Sequence, residues 1–167
     1  MVPSSKRMDK IVTQAENIKL LNHRDGAVAE QIYSIFQASY KVEAELIQAK
    51  EFPPLRRSAQ DVALSPSKFW GQSDSNGLMG IIEVEQELAL LQISSLAIAP
   101  RLFRKGIGAN LVNYVLSNLD WQTAQVQTAT ANFPAIALYQ KAGFTEQERW
   151  QSQEGTELIL LSKCHDR

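Results

Sequence analysis

The chain has 167 residues, enough for one well-cored domain and too few for two ordinary ones. Its 17 Lys and Arg stand against 18 Asp and Glu, so there is no global basic field of the kind that draws in nucleic acid or anionic membrane, and any anion must be held by a local cluster. The single cysteine, Cys164, has no partner for an intramolecular disulfide, and the sequence contains neither a signal-peptide core nor an apolar run of membrane length. The expectation is a cytoplasmic protein with no membrane and no nucleic-acid partner.

Residues 1–15 are polar and contain Pro and Ser, which reads as a flexible N-terminal tail, with Ile11 and Val12 available to extend a first strand. Residues 16–167 are expected to form the one domain. Asn17 to Asp25 reads as an opening strand, after which Asp25 or Gly26 starts a helix that places Val28, Ile32, Ile35 and Phe36 on one face. A separate second helix is expected from about Val42 to Lys50. Phe52 to Ser58, FPPLRRS, must be a loop, because adjacent prolines remove donors and fix extended or turn geometry.

Two strands follow, Lys68 to Gln72 and Leu78 to Glu87, joined through Asn76-Gly77, a short-range hairpin signal. A third runs from about Ala89 to Ile98. Beyond it Ile107, Leu111, Val112, Val115, Leu116 and Leu119 recur at helical spacing and should pack on a sheet, while Asn110, Asn113 and Asn118 face water. Ala124 to Ala131 alternates like a strand, and a short helix then begins near Pro134 and ends at Gly143, a left-handed cap. Phe144 to Gln151 and Thr156 to Ser162 close the chain around Glu154-Gly155. This order is a mixed α/β or α+β layer fold, and the helical crossovers flanking the strand at Ala124 imply a parallel pairing in the sheet.

The stretch Ile93 to Leu119 carries the most information. A buried strand runs into a short basic turn with Gly106 and Gly108 and then into an amphipathic helix. Glycines let the main chain approach a ligand closely, and the first turn of the helix offers unpaired N–H groups at the positive end of its dipole. The pattern predicts a seat for a phosphorylated ligand.

Two motifs in order, LAIAPRLFRKGIGANLV and ANFPAIALYQKAGF, resemble the GNAT superfamily of acetyl-CoA-dependent N-acetyltransferases, over about Ile93 to Phe144. The resemblance implies a mixed central β-sheet flanked by helices, with acetyl-CoA as the acyl-donor cosubstrate. It assigns the pyrophosphate to the main chain of Phe103, Arg104, Lys105, Gly106, Ile107, Gly108 and Ala109, with Phe103 standing where the family usually has Arg or Gln. Main-chain groups of Leu96, Ala97 and Ile98 are implied to hold the pantetheine arm together with Asn132, and Tyr139 matches the usual general acid. The acceptor is expected to be a small-molecule or peptide amine, and a homodimer is compatible with the resemblance.

An amine must lose a proton before it attacks a thioester, because a Lys-like amine has a pKa of about 10.4. A departing thiolate benefits from a donor, which tyrosine supplies. The strand LLQISSLAIA has no carboxylate where many relatives carry Glu, leaving Glu83 or Glu85 on the preceding strand, with Glu83 preferred, or a water relayed through Ser94 or Ser95. The missing carboxylate and Phe103 keep a second reading open, a noncatalytic CoA-binding or regulatory module of the same fold.

His23 and His165 have no metal-ligand spacing around them and read as surface histidines, so no metal is expected. Arg56-Arg57 lies in a loop that in this superfamily borders the acceptor pocket, although a solvated basic loop is the simpler reading. Trp70, Trp121, Trp150 and Phe69 are candidate apolar walls for a substrate.

Overall fold

A seven-stranded mixed sheet organises the protein. The structure, a computed structural model, describes residues 17–165; the expected tail, with Ile11 and Val12, lies outside the described residues. The elements in chain order are β1 (Ile18–Leu20), α1 (Gly26–Leu46), a 3-10 turn (Pro53–Arg56), α2 (Ala59–Leu64), β2 (Lys68–Asp74), β3 (Gly77–Glu87) and β4 (Leu90–Ile98). A second 3-10 turn (Pro100–Leu102), α3 (Ile107–Asn118), β5 (Thr123–Ala129), α4 (Phe133–Lys141), β6 (Thr145–Gln151) and β7 (Glu157–Cys164) complete them.

The strands run in the order β1-β2-β3-β4-β5-β7-β6, antiparallel except for the β4/β5 pair. The expected parallel pairing is therefore present. It arises because α3 carries the chain across the sheet between β4 and β5, a crossover that parallel neighbours require.

Each face of the sheet has its own core. Alternation along β3 sends Ile81 toward α1 and Ile82 toward α3, so the two faces are packed by different helices. Ala29, Ile32, Phe36 and Tyr40 of α1 cover one face with Phe69, while Leu111, Val112 and Val115 of α3 cover the other with Leu91, Ile93 and Val126. Each fully buried Ile or Leu contributes about 1.5–3 kcal/mol relative to exposure, which holds the sheet between its helices.

Two expectations are corrected. The early helical region is one 21-residue helix rather than two, because no Gly or Pro interrupts the chain after Gly26 until the helix has ended at Leu46. Its start is fixed by the Asp25 carboxylate, which accepts from the amides of Ala27 at 2.8 Å and Val28 at 3.4 Å. The loop expected from Phe52 to Ser58 holds the 3-10 turn Pro53–Arg56 and leads into α2, a short helix begun by a capping box in which Ser58 and Asp61 bond each other's amides at 3.0 and 2.8 Å.

His23, expected at the surface, is buried against the Phe69 ring at 4.7 Å, with its Nε2 2.8 Å from the Ser65 carbonyl. His165 is exposed and stacks on Trp121.

Candidate active site

The parallel ladder between β4 and β5 pairs Leu90 to Ile93 with Thr123 to Val126 and stops there. Ser94 to Ile98 and Gln127 to Ala129 continue apart, each still held by its outer neighbour, β3 or β7. At the same level β4 carries a bulge, since Val84 pairs with Ile93 and Glu83 with Ser95, leaving Ser94 over. An extra residue bends and twists its strand, so the bulge and the divergence open the sheet at one place.

A cavity of about 530 Å3 occupies that place, lined by Ser94, Ser95 and Leu96 of β4, Val126 to Ala129 of β5, and Tyr40, Glu43 and Ile47 at the C-terminal end of α1. Phe52, Pro53, Pro54 and Arg57 also line it, with Ser152, Glu154, Thr156 and Leu158 of the β6/β7 hairpin. Asn132, Ala135 and Tyr139 of the α4 region complete it. Trp70, Trp121, Trp150 and Phe69 do not line it; Phe69 and Trp121 are core residues, and the apolar wall comes from Ile47, Phe52 and Leu158 instead.

The glycine turn lies beside this opening. Gly106 is the N-terminal cap of α3 at φ 80°, and no side chain caps the helix. Arg104 also has a positive φ, 65°. Among the described residues, the amides of Arg104 to Ala109 donate to no acceptor in the chain, which leaves a run of N–H groups at the positive end of the dipole. A Cβ on Gly108 would stand 2.9 Å from Leu138 Cδ1 and 3.6 Å from Leu96 Cδ2, so the absent side chain lets α3 close on both α4 and β4. Leu138 precedes Tyr139, and Leu96 lines the cavity, so the turn and the tyrosine share one side of the molecule.

Tyr139 is 3% exposed, its ring set edge-on against Phe144 at 5.5 Å. Its hydroxyl makes no hydrogen bond among the described residues, and it is not among the sealed, unpartnered polar atoms, so the oxygen meets the cavity. Burial, with the nearby Glu43 and Tyr40, holds this phenol well above the ordinary tyrosine range. Tyr40 is raised too, by burial first, with Ser95 partly opposing.

Two carboxylates occupy different settings. Glu83 is buried and does not line the cavity; it takes Arg57 Nη1 and Nη2 at 2.7 and 2.8 Å, Ser65 Oγ at 3.4 Å and a short bond from Ser67 Oγ. Burial pushes its carboxyl up, but the guanidinium and serines outweigh this and the net shift is down. Arg57 also lies 5.6 Å from the Phe36 and Phe69 ring centroids. Glu43 lines the cavity, accepting at 3.0 Å from Asn132 Nδ2, and burial raises it against that bond.

Glu43 escaped the sequence reading. Residues 29, 32, 36, 40 and 43 form one i, i+3/i+4 row on α1, so a carboxylate continuing an apolar stripe was the available signal. Of the residues assigned to the cofactor arm, Leu96 and Asn132 reach the cavity, whereas the side chains of Ala97 and Ile98 do not. Asn132 also caps α4, its Oδ1 accepting from Ala135 N at 3.3 Å.

Residues 39–163 match the family described as the acetyltransferase (GNAT) domain. UPF0157 protein YqkA of Bacillus subtilis (strain 168) is 34% identical over 149 residues, covering 89% of this chain but 43% of that protein, so the chain spans less than half the length of this relative. Among solved structures, the PaiA N-acetyltransferase of Thermoplasma acidophilum in complex with coenzyme A has a TM-score of 0.70 at 17% identity, covering 89% of this chain and 98% of that one. The ribosomal-protein-S18-alanine N-acetyltransferase of Escherichia coli has a TM-score of 0.67 at 19% identity, covering 87% and 90%. Among the described residues no helix is long and apolar enough to cross a membrane. The sheet that parts beyond Ile93 and Val126 is thus the sheet of a known fold, and the chain belongs to the GNAT acetyltransferase family.

Proposed function

We propose that this chain transfers an acetyl group from acetyl-CoA directly to a primary amine, with Glu43 as the base and Tyr139 as the proton donor. The observation that carries the reading is the convergence of these two side chains on the cavity where β4 and β5 part, beside a helix start with free amides. The residues fit the cosubstrate. The amides of Arg104 to Ala109 suit a diphosphate, each charge-assisted bond contributing about 1.5–3 kcal/mol, and the unpaired inner edge of β4 at Leu96 to Ile98 offers main-chain groups to an amide-bearing arm. When bound, acetyl-CoA supplies the activated acyl carbon.

The protein's own groups manage the protons. Glu43, raised by burial, is a stronger base than an ordinary carboxylate and sits within the electrostatic reach of Tyr139. Once Glu43 has taken the proton from the acceptor ammonium, its charge no longer raises the phenol, and Tyr139 becomes a better donor to the leaving sulfur. Asn132 holds the carboxyl in place. Glu83 serves a different purpose in this reading: its oxygens are engaged by Arg57 and the serines, and it fixes the loop that walls the cavity.

The test is thiol release with acetyl-CoA across monoamines, diamines, amino acids, aminoglycosides and peptides, alongside calorimetric titration with CoA. Turnover with at least one amine is expected. Silence across the panel with intact CoA binding would favour the noncatalytic module, and absence of CoA binding would remove both readings.

A further inference from the structure

The charges of the cavity define what the acceptor must look like, and the argument rests on the acetyl-transfer reading above. Among the described residues three carboxylates line it, Glu43, Glu51 and Glu154, against a single guanidinium, Arg57, already matched by Glu83. No lysine or histidine is among the lining residues. Glu43 is held by Asn132, while Glu51 and Glu154 are exposed, one after α1 and the other in the β6/β7 turn. Glu51 shares a solvent-exposed contact with Arg56 at 3.2 Å, a pair of low worth, and Glu154 has no cationic partner among the described residues.

A second observation points to an occupant. Tyr139 is nearly fully buried, yet its hydroxyl has no partner among the described residues and opens into the same space. Ile47, Phe52 and Leu158 line the same cavity and supply apolar surface suited to methylene groups. The near-neutral net charge of −1 for the whole chain hides this local excess of negative charge.

We propose that the acceptor is a free linear alkyl diamine or polyamine, whose reacting amine meets Glu43 and Tyr139 while a second ammonium is held by Glu51 and Glu154. The reacting nitrogen forms the new C–N bond as the C–S bond of acetyl-CoA breaks. Two protons leave the ammonium nitrogen: the first goes to Glu43 and on to solvent, and the second, lost once the C–N bond has formed, restores Tyr139 after its own proton has gone to the sulfur, which leaves as the thiol. The second ammonium takes no part in the chemistry.

The experiment compares kcat/KM for 1,4-diaminobutane with that for 4-amino-1-butanol, of equal backbone length but lacking the second charge, and with a short lysine peptide. The diamine is expected to be preferred about tenfold, chiefly through KM, which corresponds to one weak ion pair at each outer carboxylate. Added salt should shrink the preference. A Glu51→Gln, Glu154→Gln double variant should bring the ratio toward one. Equal efficiency for diamine and amino alcohol, or a ratio untouched by the double variant, would overturn the inference while leaving acetyl transfer standing. A lysine peptide outrunning the diamine would overturn it in favour of a protein acceptor, and silence with every amine would remove this inference and the transfer reading together.

Discussion

Glu83 on β3 and Glu43 on α1 both belong to the face of the sheet covered by α1, and both are largely withdrawn from water, yet their acidities move in opposite directions. The region around Glu83 supplies a bidentate guanidinium and hydroxyl donors that exceed the penalty of burial. The region around Glu43 supplies one neutral amide, and burial prevails. Burial therefore does not decide whether a carboxylate is structural or reactive; the donors that accompany it do. A carboxylate with its oxygens occupied has little left to offer a substrate, and one held by a single amide keeps an oxygen free for a proton.

The largest effect should come from breaking the occupied region. Arg57→Met leaves the Glu83 carboxylate buried without its countercharge, and a cost of about 3–5 kcal/mol is expected, measured by urea denaturation. A loss below about 1 kcal/mol would show that the serines alone satisfy Glu83, and the contrast with Glu43 would weaken.

Next comes the region proposed to be reactive. Tyr139→Phe removes only a hydroxyl that makes no hydrogen bond among the described residues, so the fold should tolerate it, while turnover is expected to fall about 100-fold with acetyl-CoA affinity preserved. An unchanged turnover would take Tyr139 out of the chemistry and leave Tyr40, which lines the same cavity, as the remaining phenol.

How much of this was readable in the sequence follows from the range of each signal. The strands β2 to β5, the turn at Gly106 and the cap at Gly143 were legible because two-residue alternation, helical spacing and glycine at positive φ are local properties. Tyr139 and the α3 start carried their own motifs. Glu43 did not, because its role depends on the approach of Asn132, 89 positions away in sequence, and because dividing α1 in two hid the row on which it lies. Glu83 was legible as an acid inside the sheet, but its occupation by Arg57 joins a loop to a strand 26 residues on, which no periodicity reports. The capping box at Ser58 was readable and went unread.

A smaller effect concerns the turn proposed to hold the cosubstrate. A Cβ at Gly106 meets nothing within 4 Å, so Gly106→Ala tests the φ of 80° alone, without a steric clash. Holding alanine in that left-handed conformation costs about 1–2 kcal/mol, and CoA affinity in calorimetric titration should drop about tenfold. Unchanged affinity would mean that the amides of this turn do not carry the diphosphate.

The smallest effect tests the comparison by sign rather than by size. Because the folded chain raises the Glu43 carboxyl, the stability this group contributes is fully present below its unfolded pKa and is lost as pH rises through the folded value. Glu43→Gln mimics the neutral form and can still accept from Asn132, so its melting temperature should exceed that of the parent at pH 7 and match it near pH 4. Glu83 behaves oppositely. Its stabilisation is present above the unfolded carboxyl pKa and lost as pH falls through the lowered folded value, so Glu83→Gln should melt below the parent at pH 7 and approach it in acid. Two identical substitutions would then shift stability in opposite directions at neutral pH, and a shared sign would mean that the donors around the two carboxylates do not set them apart.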